Sequence, residues 1–598
     1  MREYTVPTQV EVDPNANVAD AVYENADLEP DRVVFSRKID GKWTDVTARE
    51  FRDEVAALAK GFMAAGIEPG DRVGLMSRTR YEWTLADYAI WSAGAVPVPI
   101  YETSSPEQVA WILGDSGAKA LITETSDHRK AYDEVASELP DIKNVWSIDA
   151  GSLADLSHSG TQVTDDDLTE RRRTLKADSL ATIIYTSGTT GRPKGCELTH
   201  ENFIFDSAAT TEGLGELFDS SNSTLLFLPL AHVFARLIQV GCIRTRVRFG
   251  HTNDIKNLLP DFAIFQPTFI LSVPRIFEKV YTTAKNKAHS SGKGAIFDRA
   301  ESIAVKYSEA MEDKGGPSLL LKVQHRLYDR LVYGKLRAAL GGQVEYAVSG
   351  GAPLGARLGH FFRGVGITVL EGYGLTETSA GATLNLPDSI RIGTVGKPIP
   401  GVTVRIADDG EILLKGSNVF RGYWHNADAT KEALENDGWF HTGDIGELDE
   451  DGFLKITGRK KELIVTAGGK NVSPAVLEDR LRAHPLISQC MVVGDNQPFI
   501  AALVTIDEEA FPAWKRDHAK PDDATVEDLR EDEDLNKTVQ EAVDEANKAV
   551  SHAESIRKFR ILAVDFTEDG GHITPTLKLK RNVVAKDFAD EIDALYTK

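Results

Sequence analysis

The chain has 598 residues, 42% of them hydrophobic and 27% charged, with 91 acidic side chains against 68 basic ones and a formal net charge of −23. A single hydrophobic core stops growing near about 250–300 residues, so one compact domain is excluded and at least two are expected; the composition also excludes a disordered chain. So negative a molecule repels phosphates, which speaks against nucleic-acid partners and means that any polyanion must be handled in a dedicated pocket.

In chain order, the N-terminal MREYTVPTQVEVDP lacks a basic stretch followed by an apolar one, so no secretory signal is expected. Helical patterns then alternate with short β-branched runs: DEVAALAKGFMAAG and DRVGLMS, YEWTLADYAIWSAG and AVPVPI, EQVAWILGDSG and AKALITE. Helix and strand in turn, with Gly at each helix end, predict α/β layers around a largely parallel sheet. The texture continues through strands at Ala181–Tyr185, Thr268–Val273, Glu345–Val348 and Ile367–Leu370, each running into a loop of the kind that carries ligands in open α/β sheets. Leu225–Ile243 is the most membrane-like stretch, but Pro229, His232 and Arg236 near its middle make it interior rather than transmembrane. Cys196, Cys242 and Cys490 stand far apart without a CxxC, which excludes a disulfide scaffold and a thiolate zinc site and suits a reducing, cytoplasmic setting.

Beyond about Leu384 short strands and turns predict a β-rich subdomain. The charged Gly458–Glu462 interrupts two strand-like runs and is placed as a hinge, so that residues 1–457 form a large domain and 463–598 a small α+β one. The small part is expected to hold a helix capped by Ser473 with Pro474 in its first turn, two strands, and an acidic stretch, Asp522–Asp534, with eight acids and one base, taken as a solvated face or loop.

Four segments carry chemistry. In YTSGTTGRPKG a strand delivers Thr186, Ser187, Gly188, Thr189, Thr190 and Gly191, then Lys194: glycines for close backbone approach, N–H and hydroxyl donors for anionic oxygens, and a cation, which together suit a polyphosphate better than an ordinary polar turn does. It is not a Walker A loop, since Pro193 precedes Lys194 and Gly195 follows it. VSGGAPL and LEGYGLTETS offer Ser349, Gly350 and Gly351 for close passage of a flat ring, an aromatic face at Tyr373, a hydroxyl at Thr376 and a hard carboxylate at Glu377 suited to Mg2+; alone, each is also a plausible tight turn. Asp444 in DGWFHTGD, with Arg459 after it, suits vicinal ribose hydroxyls, although an Asp in a turn is usually structural. Lys578, Lys580 and Arg581 form a basic cluster in an acidic domain, which in isolation reads as a strand edge kept from aggregating.

In this order the segments resemble the adenylate-forming, AMP-binding superfamily from roughly Asp45 to Asp587. PLAHVFAR, VPRIFEKV, GRKKELIV and TPTLK favour its long-chain fatty acyl-CoA synthetase branch. The resemblance implies a ligase that uses ATP and Mg2+ to adenylate a fatty acid and then transfers the acyl group to coenzyme A. It implies that Thr186–Lys194 holds the β- and γ-phosphates, that Thr186 and Glu377 place Mg2+, that Gly350–Ala352 and Glu371–Tyr373 line adenine, and that Thr376 reaches the α-phosphate. Asp444 and Arg459 would hold the ribose, His232 would sit beside the substrate carboxylate, and Lys578 would bridge carboxylate and α-phosphate. Rotation about Lys461 would then exchange Lys578 for the Ala467–Lys470 loop, whose Gly468 and Gly469 leave room for the thiol arm. The acyl chain is expected around Phe227–Val233 and Thr268–Phe277. A fatty acyl-AMP ligase serving a carrier protein, and a catalytically silent acyl- or nucleotide-binding relative, are the alternatives; Lys578 and Glu377 speak against the second. Peripheral membrane contact stays open, but no amphipathic basic helix is recognised.

Overall fold

The computed structural model describes residues 2–39, 41–186, 192–254, 257–467, 470–568, 570–574 and 578–597. Thr47 accepts the Glu50 N–H while the Glu50 carboxylate accepts the Thr47 N–H, a capping box that starts helix Ala48–Ala64. Ser105 and Gln108 repeat the device with Pro106 in the first helical position, and Gly117, at φ 62°, ends that helix. Between helices so bounded run four parallel strands in the order Val96–Ile100, Arg72–Met76, Ala120–Thr123, Asn144–Ser147. Pro97 and Pro99 have no N–H for a second neighbour, which suits the edge that Val96–Ile100 occupies.

A second sheet sets Phe269–Ser272, Tyr346–Ser349 and Thr368–Tyr373 in parallel, then Thr383–Leu384 and Lys397–Pro398 antiparallel. A third aligns Ser223–Leu226, Arg248–His251 and Val33–Ile39, and the hairpin of Leu180–Thr186 and Lys194–Thr199 takes Gly422–Tyr423 as a third strand. Past Leu384 comes the expected β-rich layer, in the order Glu3–Thr5, Thr403–Ile406, Glu411–Lys415, Phe440–Leu448, Leu454–Arg459, antiparallel throughout. The α/β class with a β-rich subdomain is therefore the observed one.

One buried apolar cluster runs from Val18 to Leu454, and separate clusters begin at Ile464 and Met491 around the sheet of Ile487–Val493, Ile500–Ile506 and Ile556–Ile561. Leu225–Ile243 lies inside the first, and among the described residues no helix is long and apolar enough to cross a membrane. Its Arg236, fully buried, is forked onto the equally buried Asp87 at 2.5 and 3.1 Å, gives a third hydrogen bond to Thr182, and is enclosed by the rings of Trp83, Trp91 and Phe203. A charge at that depth is tolerable only because every side of it is paired. The three cysteines are free and buried.

Two expectations change and one holds. Ser473 precedes helix Pro474–Arg482 but its side chain makes no cap bond and its Oγ is buried without a partner, so Pro474 alone marks the start. The acidic stretch is mostly exposed and partly helical, as a solvated helix face or loop would be: Thr525 and Asp528 form a capping box, and Asp532 caps helix Glu533–Asn547 while pairing with Lys520 at 2.7 Å. And a basic amphipathic helix does exist: Leu319–Tyr328 exposes Leu319, Leu320, Val323 and Leu327 beside Lys322 and Arg326.

Candidate active site

Parallel strands end together, so their loops meet. Ser272, Ser349 and Glu371 occupy one register row at the C-terminal ends of the second sheet, and Gly350–Ala352 and Gly372–Gly374 continue from that row into a cleft of about 2450 Å3. That exceeds the roughly 300–1,000 Å3 of a single small-ligand site and leaves room for more than one bound group. Gly374 is obligatory: a Cβ there would lie 1.6 Å from the Ala380 carbonyl oxygen. Ser379 and Ala380, at φ 58° and 101°, turn the chain back behind Thr376 and Glu377.

Asp444 is only 5% exposed and enters from the β-rich layer, where it pairs in register with Arg459. Its carboxylate takes the Tyr373 hydroxyl at 2.6 Å and the Arg459 Nε–H at 2.9 Å. Glu377 accepts the Tyr423 hydroxyl at 2.8 Å, and the Lys194 ammonium stands 5.0 Å from the centre of the same tyrosine ring. Thr186 and Lys194 face each other across the neck of the glycine hairpin, and beneath them burial, with Glu377 next, pushes the Cys196 thiol up and keeps it neutral. The neighbour that carries the Mg2+ expectation is thus a carboxylate oriented by Tyr423. Among the described residues no three His, Cys, Asp or Glu side chains cluster to cage a metal.

His232 stands at the start of helix Val233–Thr245, whose N-terminus opens on the cleft and favours an anion there. Its Nδ1 accepts the Phe234 N–H at 3.3 Å, so the proton sits on Nε2. Desolvation first, then the Lys578 charge, lowers its pKa to about 3, and the imidazole is a neutral donor. Lys578 keeps an exposed surface inside the cleft, and crowding by the protein, with Arg459 next, pushes its ammonium below the usual lysine range. Glu371, buried and accepting the Leu354 N–H, is pushed up to about 7 by desolvation and by Asp479 from the C-terminal part.

Beside His232 the lining of the cleft includes apolar side chains at helical spacing, Val233, Phe234, Leu237 and Ile238, together with Leu214, Leu271 and Leu384. Of the segments expected to line an acyl chain, His232, Val233, Leu271 and Pro274 reach the cleft, while Phe227, Leu228 and Leu230 are core.

Every other described residue singled out in the sequence for nucleotide, metal or hinge roles, Lys461 included, lines the cleft. Ala467 and Lys470 do not: Ala467 N–H bonds Gln497 and the Lys470 ammonium pairs with Glu554 at 3.3 Å. Ser187, Gly188, Thr189, Thr190, Gly191, Gly468 and Gly469 lie outside the described residues. Tyr423 escaped the sequence reading because nothing local marks it; strand pairing of Tyr423 with Cys196 brings it under Glu377.

Comparison with known proteins shows what the chain is similar to. The family described as AMP-binding enzyme matches residues 22–424, and the AMP-binding enzyme C-terminal domain matches 461–598. The chain is 55% identical to Long-chain-fatty-acid–CoA ligase FadD15 of Mycobacterium bovis over 602 residues, covering all of both chains, and equally so to that of Mycobacterium tuberculosis. It is 33% identical to Long-chain-fatty-acid–CoA ligase ACSBG2 of Gallus gallus, covering 95% of this chain and 79% of that one. Among solved structures, the anthranilate CoA ligase AuaEII with anthranoyl-AMP superposes with a TM-score of 0.71 at 20% identity, covering 98% and 99% of the two chains. The carboxylic acid reductase A domain of Segniliparus rugosus, with AMP and a co-purified carboxylic acid, gives 0.74 at 20% identity over 99% and 96%.

Proposed function

The chain belongs to the AMP-binding enzyme family, and from that premise we propose that it is a long-chain fatty acid–CoA ligase that forms AMP. It consumes a fatty acid, ATP and coenzyme A in two steps. A carboxylate oxygen of the acid attacks the α-phosphorus of ATP and the bond to pyrophosphate breaks; the thiol sulfur then attacks the acyl carbon of the mixed anhydride, AMP leaves, and the thiol proton is lost to solvent. The anhydride is needed because a carboxylate at neutral pH is a poor acyl donor.

The residues supply binding and electrostatics. Asp444, already held by Tyr373 and Arg459, has a carboxylate suited to ribose hydroxyls. Gly350–Ala352 and Glu371–Tyr373 would pack adenine, Thr376 would reach the α-phosphate, and Thr186 with Glu377 would hold Mg2+, which when bound neutralises phosphate charge. Neutral His232 would donate its Nε2–H to the acid. Lys578 would place its charge between carboxylate and α-phosphate, where anionic charge crowds in the transition state. We divide the chain into residues 1–457, a hinge at 458–462 about Lys461, and a mobile 463–598 that exchanges Lys578 for the Ala467–Lys470 loop. Cysteine usage suits a cytoplasmic setting.

The observation that carries this reading is convergence: Lys578 from the C-terminal part and His232, Glu377 and Asp444 from the N-terminal part line one cleft together with apolar side chains such as Val233, Leu237 and Leu271. AMP release measured across fatty acids of increasing length, with and without coenzyme A, tests it. Release that rises with chain length and is coupled to thioester formation is expected; adenylate that accumulates and passes only to a carrier protein would favour the acyl-AMP ligase instead.

A further inference from the structure

We propose that helix Leu319–Tyr328 and the turn after it form a docking surface for an anionic lipid bilayer. This goes beyond the ligase reading, and nothing in it depends on the cleft.

The helix has two faces with different fates. Ser318 caps it through the Leu321 N–H, and its inner face is anchored: His325 stacks on Tyr307 at 3.9 Å and meets the Gly364 carbonyl at 2.6 Å. Tyr328 and Val332 pack against the main core, and Tyr333, fully buried, donates to the Ala300 carbonyl. Among the described residues the outer face has no such partner. Leu319, Leu320, Val323, Leu327 and Leu331 are 80, 69, 61, 56 and 47% exposed, an apolar stripe that the fold does not use. Four large apolar side chains exposed along one helix, with a fifth on the turn after it, are not the scattered singles of an ordinary surface.

Charge says what covers the stripe. The chain as a whole is at −23, yet from Lys314 to Lys335 it has five basic residues and one acid. That acid, Asp329, is already paired with Arg337 at 2.7 Å. Lys322, Arg326 and Arg330 are exposed along the side of the stripe, with Lys335 beyond, and among the described residues none of the four forms an ion pair. Apolar side chains flanked by unpaired Lys and Arg are what an interfacial helix needs: the stripe enters the boundary between headgroups and acyl chains while the cations meet lipid phosphates. A ten-residue helix of about 15 Å lies along such a surface rather than across it. Two copies of the chain meeting face to face on this helix would set like charges against each other, so a lipid phosphate surface is the better complement.

The test is co-sedimentation of the full chain with phosphatidylcholine vesicles with and without phosphatidylglycerol. Binding to the anionic vesicles, weakened by raised salt, is expected. The double variant Lys322→Glu/Arg326→Glu should weaken it by at least about 25-fold, on the scale of about fivefold for each basic residue lost. Leu320→Asp/Leu327→Asp should abolish it, since both positions are exposed and the fold does not need them. AMP release with a short soluble acid should be unchanged in all variants, because none lies in the cleft. Failure of the wild-type chain to bind anionic vesicles, or equal binding by both variants, would overturn the proposal. So would a wild-type dimer that Leu320→Asp/Leu327→Asp dissociates without any vesicle binding. Because the readout is binding, its failure leaves the ligase reading untouched.

Discussion

Asp444 and Lys578 face the same cleft and are held in opposite ways. Asp444 sits in a strand register, nearly buried, with both carboxylate oxygens engaged by Tyr373 and Arg459. Lys578 hangs from a narrow bridge: Ile573 pairs with Leu579, and Thr574 exchanges two hydrogen bonds with the Lys578 backbone at 2.8 and 3.0 Å. Its ammonium forms no ion pair among the described residues and only feels the charges of Arg459, Asp444 and Glu377. Among the described residues the polar contacts across the seam include Arg275 on Ser488 at 3.3 and 3.4 Å, Arg357 on the Ala483 carbonyl at 3.4 Å, and an exposed Lys279–Glu509 pair. Under the proposed two-step reaction, groups that bind the nucleotide in both half-reactions would belong to the N-terminal side, and the group wanted in only one to the C-terminal side.

The comparison can be broken most severely from within the fixed part. Asp87→Ala leaves Arg236 charged and unpaired at full burial, a loss on the order of 3–5 kcal/mol. In calorimetry the transition of the large part should move to much lower temperature while that of the C-terminal part, with its own cores, stays; an unmoved large transition would mean that the pair is not what holds that region. A smaller effect lies on the seam. Glu371, pushed up to about 7, binds in the folded state a proton that the unfolded chain has already lost above about 4.5. Folded stability therefore falls as pH rises from about 4.5 to 7 and is level above that. Glu371→Gln should remove up to about 3 kcal/mol of that fall, read as a flatter curve of melting temperature against pH. An identical curve would show that Glu371 is not desolvated. Smallest is Arg275→Ala, which deletes two long, half-exposed hydrogen bonds worth about 1 kcal/mol together. Trypsin should then cut near Lys460 and Lys461 roughly two- to fivefold faster, as the seam opens more often; an unchanged rate would remove Arg275 from the seam.

Much of this was legible in the chain because the informative signals are local. Hydrophobic runs ending in glycine loops locate the strand ends, and those ends carry Ser349, Glu371 and Tyr373 to the cleft. What was not legible depends on pairing across long separations. Tyr423 orients Glu377 only because its strand joins Cys196, more than two hundred residues earlier. Arg236 reads as an obstacle within an apolar run until Asp87 is seen against it. The apolar face of Leu319–Tyr328 looks like core in composition, and only the placement of its neighbours leaves it outside. Ala467 and Lys470, which the resemblance brings to the site only after rotation, lie off the cleft while Lys578 lines it.

The central claim, that one cleft serves two steps by changing the group the C-terminal part presents, is tested most directly by assaying both half-reactions separately in Lys578→Ala and in Lys461→Pro. A crossed result is predicted: Lys578→Ala loses acyl-AMP formation by at least about a hundredfold but still converts preformed acyl-AMP and coenzyme A to thioester, while Lys461→Pro adenylates normally and fails in thioester formation. Equal losses in both half-reactions for either variant would contradict it.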